Sequence, residues 1–179
     1  MRVLTQFVNF VGAVQLWLAA LIFVGCVMLY GAEVFARGLL NRSIPEYFEI
    51  VGIGFVYVFL FGAAALYARD EDIVIGFVYD RAPALMQPWW LFGVHTAVAA
   101  SAVVTASATF DIIALQWTTP TPLLGVPESI RWIPLAIASV SMAATAGCRM
   151  AACVVWATRC EQPDLLQPIG SKEDDLREL

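Results

Sequence analysis

The stretch NRSIPEYFEIVGIGFVYVFLFGAAALYARDED, residues 41–72, decides the class of this protein. Its middle, residues 50–68, contains no charged side chain. A helix of that length rises about 1.5 Å per residue and so covers roughly the 30 Å hydrocarbon core of a bilayer. The apolar run is followed at once by four charged residues, Arg69, Asp70, Glu71 and Asp72. Because water and headgroups can solvate these charges, the stretch predicts a membrane-spanning helix with sharp ends.

The composition places the whole chain in the membrane class. Of the 179 residues 60% are hydrophobic, and the mean hydropathy is +0.76, whereas soluble domains use roughly 45–50% apolar residues. The formal net charge is −5, and an acidic tail argues against binding of nucleic acid or anionic lipid. The four cysteines form no C-x-x-C pair, and only one histidine is present. A metal cluster, a haem or a disulfide framework is therefore poorly supported, and we expect no cofactor on this chain.

Three further apolar stretches predict an all-α integral membrane domain of four spans over residues 1–158. The spans cover about residues 11–32, 50–68, 89–110 and 132–158, and an acidic cytoplasmic tail covers residues 159–179. The first apolar run exceeds the roughly 7–15 residues of a signal-peptide core, so we predict a retained span. The segment after span two is too short and too charged to cross. Its apolar residues recur at helical spacing, which predicts an interfacial helix between spans two and three.

Lysine and arginine are distributed unevenly beside the spans. One side has Arg37, Arg42 and Arg131. The other side has the remaining seven of the ten, Arg2, Arg69, Arg81, Arg149, Arg159, Lys172 and Arg177. Since cytoplasmic flanks carry the excess of these residues, we predict that both termini are cytoplasmic. The links before spans two and four then face outward.

Ionisable residues within spans are functional candidates by default, and His95 and Asp111 lie in or next to span three. They are 16 positions apart (111 − 95), about 24 Å along a helix axis, which is too far for one pair or one metal site. A hydrogen bond within the protein explains His95 without a function, and the alternative is a proton relay. Arg149 interrupts span four, and we predict that it reaches the nearby surface through its long stem.

Small residues recur every four positions in spans three and four. They are Ala97, Ser101, Thr105 and Thr109 in span three and Ser139, Ala143, Gly147 and Ala151 in span four. Such rows allow the close backbone approach on which helix association in lipid depends. They predict either packing within a four-helix bundle or a face for another subunit.

Three motifs carry a family resemblance. Span two begins with R-x-x-x-N-R-S-I-P-x-x-x-E over residues 37–49 and ends with Gly-Ala-Ala at residues 62–64. The loop before span four reads T-x-x-x-G-x-P from Thr121 to Pro127. With four spans and both ends inside, this pattern resembles the small, Q-type membrane subunit of TRAP (tripartite ATP-independent periplasmic) transporters over most of residues 34–153. Many members carry a His-hydrophobic-x-Val-Asp run after span two where this chain has DIVIG at residues 72–76, so no role tied to that His or Asp is carried over.

The resemblance implies an accessory scaffold subunit in the bacterial inner membrane, and not an enzyme. The implied partners are a large multi-span membrane subunit and a periplasmic substrate-binding protein that delivers an organic anion, a carboxylate or sugar acid. The large subunit is expected to hold the sodium and substrate sites. Because charges at a membrane surface can orient a partner, we predict contacts with these partners at Arg37, Arg42, Glu49, Gly125, Pro127 and Arg131.

Two other classes of function stay open. One is a small homo-oligomeric exporter or channel, for which the rows of small residues and the pair Glu46 and Glu49 argue. The other is a membrane enzyme or electron carrier that uses His95. Against both, the sequence contains no H-E-x-x-H, G-x-S-x-G or P-loop motif. No span has the clustered polar residues or the mid-span Gly/Pro break typical of a substrate site at the bilayer midplane.

Overall fold

The fold is known from a computed structural model that describes residues 2–69, 83, 86–159 and 166. Within these ranges four helices are long and apolar enough to cross a membrane. They are α1 (Arg2–Leu40), α2 (Glu46–Arg69), α3 (Gln87–Gln116) and α4 (Ile133–Arg159), with a 3-10 helix at Glu128–Arg131. The predicted all-α fold with four candidate membrane spans is confirmed. The predicted interfacial helix and almost all of the acidic tail lie outside the described residues, and the orientation of the termini stays a prediction.

Local chemistry explains where the helices begin and end. Asn41 follows α1 with a φ of 48°, a left-handed conformation that asparagine tolerates better than most residues. The first turn of α2 contains Glu46 and Glu49, and its last turn contains Arg69, so charges of favourable sign lie at both ends of the helix dipole. Pro88 lies in the first turn of α3, where the missing backbone N–H costs nothing.

The helices form two hairpins, because α1 packs along α2 and α3 packs along α4. The hairpins join mainly through α2 against α4, so these two helices lie at the centre. The buried face of α2 includes three alanines, Ala64, Ala65 and Ala68. A Cβ added at Gly12 of α1 would come within 2.9 Å of the Ala68 Cβ. Small residues therefore set the close approach of α1 and α2, as helix packing in lipid requires.

Helix α1 is longer than α2 and continues beyond two of their contact pairs, although Val8 still packs near Ala68 and Arg37 still lies beside Tyr47. Gly12 lies against Ala68 near the end of α2, and Glu33 binds the Ile44 amide just before α2 begins. Residues 2–11 and 34–40 extend beyond these pairs, by about 15 Å and about 10 Å. Large exposed apolar side chains in these two segments are Phe7, Phe10, Val34, Phe35, Leu39 and Leu40.

Each predicted row of small residues is buried between the helices at one end and exposed at the other. On α3, Ala97 and Ser101 are exposed, Thr105 is half-buried and Thr109 is buried. On α4 the order is reversed. Ser139 is buried, Ala143 is half-buried, and Gly147 and Ala151 are exposed.

The period of the helix explains this outcome. Residues four apart differ by about 40° around an α-helix, so a row of four turns through about 120° and leaves one face. The buried row on α3 is instead His95, Ala102, Ala106 and Thr109, whose uneven steps keep to one face. The prediction of packing within the chain is wrong for Ala97, Ser101, Gly147 and Ala151. That these rows form a face for another subunit stays a prediction.

Candidate docking surface

Two connections lie at one end of the helix layer, which we call the loop end. They are the α1–α2 link, residues 41–45, and the α3–α4 loop, residues 117–127. Glu49, in the first turn of α2, accepts hydrogen bonds from the backbone of the α3–α4 loop. The two connections predicted to face the same side of the membrane are therefore in contact through α2. Five of the six residues predicted to contact partners lie in or next to these connections, and the sixth, Arg37, lies in the last turn of α1.

A buried carboxylate near the end of α1 holds the α1–α2 link. Glu33 is 1% exposed. One of its oxygens lies 2.8 Å from the Arg37 guanidinium and accepts a 3.0 Å hydrogen bond from the Ser43 hydroxyl. The other oxygen accepts a 2.9 Å bond from the Ile44 amide. This side chain therefore fixes the turn between α1 and α2.

A second buried carboxylate holds the α3–α4 loop. Glu49 is 8% exposed, and one of its oxygens accepts hydrogen bonds from two consecutive amides, Leu123 at 3.2 Å and Leu124 at 2.9 Å. The Arg131 guanidinium lies 3.8 Å from the other oxygen and 3.8 Å from Glu128. Two carboxylates thus share one guanidinium, at a distance longer than a close ion pair. Glu49, predicted as an outward contact, is instead directed inward and positions the loop.

The α3–α4 loop also closes on itself. The Thr121 amide donates to the Val126 carbonyl at 2.7 Å, and the Gly125 amide donates to the Thr121 carbonyl at 3.2 Å. Gly125 has a φ of 67°, which glycine adopts without strain. The Glu128 amide donates to the Thr119 carbonyl at 2.8 Å. The loop is therefore held by its own backbone hydrogen bonds without regular secondary structure.

Two side chains fix the loop at its boundaries with the helices. The Trp132 indole donates a 2.6 Å hydrogen bond to Gln116 Oε1, which joins the start of α4 to the end of α3. The Tyr57 hydroxyl donates to the Ile130 carbonyl at 3.0 Å, which joins α2 to the 3-10 helix. Together with Glu49 these bonds connect the loop to three helices.

The other predicted contact residues are accessible at the loop end. Arg42 and Gly125 are exposed, Pro127 is half-buried, and the Arg131 side chain is 41% exposed. Arg37 is 62% exposed while it pairs with Glu33. A cleft of about 450 Å³ lies between the start of α2 and the loop, and Glu49, Leu123 and Arg131 are among its lining residues. For each of these residues, contact with a partner stays a prediction.

His95 and Arg149 lie apart from the loop end, whereas Asp111 lies five residues before the end of α3 (116 − 111) and so close to it. His95 is buried, and its Nδ1 lies 3.0 Å from the Tyr67 hydroxyl, as expected for a hydrogen-bonded histidine. Asp111 is exposed. Arg149 is 2% exposed, and its guanidinium lies 4.9 Å from the centre of the Tyr67 ring and donates to the Ala68 carbonyl at 3.4 Å. The prediction that Arg149 reaches the surface is therefore wrong, because the ring and the end of α2 accommodate the cation inside the protein.

A groove of about 720 Å³ lies between α1 and α4, and Phe61 of α2 and Phe110 and Ile113 of α3 complete its lining. Its lining is apolar except for Gln15 and Ser141, which bind each other through a 2.6 Å hydrogen bond. Within residues 2–69 and 86–159 no group of three or more His, Cys, Asp and Glu side chains could hold a metal ion. What the described helices offer is a surface for lipid and protein.

Sequence reasoning did not identify Glu33 as a structural residue of the loop end. Its hydrogen bonds reach residues 10 and 11 positions away, beyond the range of helical spacing. The signal present in the sequence was an acidic residue at the end of an apolar run with Arg37 four positions later, which is the spacing of a helical ion pair.

Comparison with known proteins identifies the family. A family model described as the DctQ component of tripartite ATP-independent periplasmic transporters matches residues 26–155. Comparisons with curated proteins and with solved structures gave no match. The matched range covers most of the chain and includes three of the four helices in full or nearly so, together with both connections of the loop end. The chain therefore belongs to the DctQ family, the small subunit of TRAP transporters.

Proposed function

We propose that this chain is the accessory scaffold subunit of a sodium-coupled TRAP transporter in the bacterial inner membrane. The transporter imports an organic anion, a carboxylate or sugar acid. This chain acts with a large multi-span membrane subunit, which holds the sodium and substrate sites, and with a periplasmic substrate-binding protein. Both termini are cytoplasmic, and the loop end faces the periplasm.

The observation that carries this proposal is that polar side chains inside the described helices bind each other. Gln15 is bonded to Ser141 across α1 and α4, and Tyr67 lies within hydrogen-bond distance of His95 across α2 and α3. A solute site needs polar groups directed into a shared cavity. These groups bind each other, and the groove between α1 and α4 is apolar apart from Gln15 and Ser141. Such an interior supports a scaffold whose specificity resides in another chain.

Large exposed apolar side chains support association with a partner in the membrane. They occur on all four helices, for example Trp17 on α1, Phe59 on α2, Val104 on α3 and Val140 on α4. Lipid and neighbouring helices can both cover such surface, since the bilayer core is as apolar as these side chains. The ordered connections at the loop end add a polar surface outside the hydrocarbon.

Co-expression with the large subunit tests the proposal. We expect the two chains to co-purify in mild detergent at a fixed ratio. In liposomes, uptake of a labelled organic anion should need both membrane chains, the binding protein and an inward sodium gradient. Omission of any one should reduce uptake to the level of empty liposomes.

The alternative, a small homo-oligomeric exporter or channel, predicts a different result in the same assay. Liposomes that contain this chain alone would then show solute or ion flux above empty liposomes. We expect no such flux. Stable purification of the chain without a partner, combined with flux of its own, would overturn the scaffold proposal.

A further inference from the structure

We propose that Glu49 is a positioning residue that holds the α3–α4 loop in the shape in which the loop docks the periplasmic binding protein. This inference rests on the proposed function and deepens it. It names the connection that carries the docking contact and the side chain that sets its conformation. Glu49 itself does not touch the partner, since its carboxylate is buried against the loop.

The hydrogen bonds from Glu49 reach the centre of the loop. Residues 122–124 form its turn, and the amides of Leu123 and Leu124 both point to one carboxylate oxygen of Glu49. Glu49 lies 74 and 75 positions earlier in the chain, on another hairpin. The loop's own hydrogen bonds close its two sides, at Thr119 and Thr121. The turn between them is tied to α2 through Glu49.

The turn presents side chains that are suited to contact with another protein. Leu123 is 50% exposed, and Pro122 next to it is exposed. At 11 residues (117–127) the α3–α4 loop offers more surface beyond the helix ends than the five residues (41–45) of the α1–α2 link. A small apolar tip with a charged rim at Glu128 and Arg131 resembles the centre and rim of protein interfaces.

The energetic role of Glu49 follows from this arrangement. A contact loop that is already ordered avoids the entropy cost of ordering on docking. Loss of the carboxylate would leave two amides to water and allow the turn to sample other conformations. The affinity for the binding protein should then fall, whereas the steps carried out by the large subunit should keep their rate.

The test uses the assembled transporter in liposomes and varies the concentration of the binding protein. For Glu49→Ala we expect the half-saturating concentration to rise about tenfold, the loss typical of hydrogen bonds to a charged acceptor. The maximal uptake rate should stay within about twofold of wild type. Glu49→Gln keeps an oxygen that can accept both amides, so it should restore most of the affinity. Glu46→Ala, the loss of an exposed acid in the same helical turn, is the matched control and should match wild type.

A second variant acts on the contact without disturbing the hydrogen bonds. Leu123→Glu changes only a half-exposed side chain, because the Leu123 amide still donates to Glu49. We expect the half-saturating concentration to rise by a similar factor. This variant decides the question if Glu49→Ala does not assemble.

The outcomes separate this inference from the proposed function. Failure of the wild-type chain to co-purify with a large subunit overturns both. If wild type assembles and transports, an unchanged half-saturating concentration in Leu123→Glu overturns the inference alone. A reduced maximal rate at unchanged half-saturation in Glu49→Ala does the same, since that would place Glu49 in turnover and not in docking.

Discussion

Gln15 Nε2 donates a 2.6 Å hydrogen bond to Ser141 Oγ and so joins α1 to α4 across 126 positions of sequence. Gln15 is buried, and within the part of the chain that the structure describes its Oε1 accepts no hydrogen bond. The same side chain thus provides one bond and retains one unpaired acceptor. The hydrogen bond stabilises the fold, whereas the buried unpaired acceptor destabilises it.

This balance gives our first prediction. Ser141→Ala should lower the free energy of unfolding by about 1 kcal/mol, because it leaves the whole Gln15 amide without a side-chain partner. Gln15→Leu should change it by less than about 0.5 kcal/mol, since the unpaired acceptor is removed with the bond. Thermal unfolding of the purified chain in detergent, followed by circular dichroism, measures both. A larger loss for Gln15→Leu than for Ser141→Ala would contradict this account.

The second prediction concerns Glu33 at the α1–α2 link. Glu33→Ala removes three acceptor contacts at a buried site and should destabilise the chain by about 2–3 kcal/mol. Arg37→Ala should cost less, because Glu33 keeps its hydrogen bonds from Ser43 and Ile44 and solvent already screens the pair with the exposed guanidinium. Unfolding in detergent again measures the difference. Equal losses in the two variants would show that the ion pair, and not the link, determines the effect.

The third prediction concerns the close approach of α1 and α2. Gly12→Ala adds a Cβ against the Ala68 Cβ and should destabilise the pair by about 1 kcal/mol or more. Ala68→Gly has a cost of its own in the buried cluster, so the comparison is made within that background, where Gly12→Ala should cost less than it does in the wild-type chain. Gly62→Ala is the control, since a Cβ at Gly62 meets no atom within 4 Å. An equal cost of Gly12→Ala in the wild-type and Ala68→Gly backgrounds would show that the contact is not what limits helix approach.

The fourth prediction separates the two roles of Tyr67. Tyr67→Phe removes the hydroxyl that faces His95 but keeps the ring beside Arg149, and we expect a loss of about 1 kcal/mol. Tyr67→Leu also removes the aromatic face and should cost about 1–2 kcal/mol more. The comparison is made by unfolding at one pH in the same detergent. If Phe and Leu are equivalent, the ring contributes nothing to holding the buried cation.

The number of helices and the membrane class of the fold could be predicted from the sequence, because both depend only on the length of apolar runs and on the absence of charge within them. An uncharged run such as residues 50–68 has the length of a bilayer, and no soluble fold needs it. The family motifs pointed in the same direction, and the match over residues 26–155 confirms them. Helix ends were less predictable. The segment 34–40 stays helical after Glu33, beyond the predicted end of span one at residue 32, and Glu33 bonds to Ser43 and Ile44, which follow the helix.

The candidate site was only partly predictable, since its structure depends on contacts between distant residues. Glu49 appeared to be a surface charge because its sequence neighbours are a helix start and a polar link. Its partners, Leu123 and Leu124, come from the other hairpin. Arg149 appeared to be directed outward because no acceptor lies nearby in sequence. The Tyr67 ring and the Ala68 carbonyl, 82 and 81 positions away, accommodate it instead (149 − 67 and 149 − 68).

The unequal lengths of α1 and α2 have a consequence for the surrounding membrane. At 39 residues, α1 is about 58 Å long, and at 24 residues α2 is about 36 Å long. Because both ends of α1 carry exposed apolar side chains, such as Phe10 and Leu40, the edge formed by α1 presents apolar surface over a greater height than α2 does. A bilayer of constant thickness does not match both. Beside α1, tilt of the helix, local thickening of the bilayer, placement of the helix ends among the headgroups, or cover by a neighbouring protein can each accommodate the excess height.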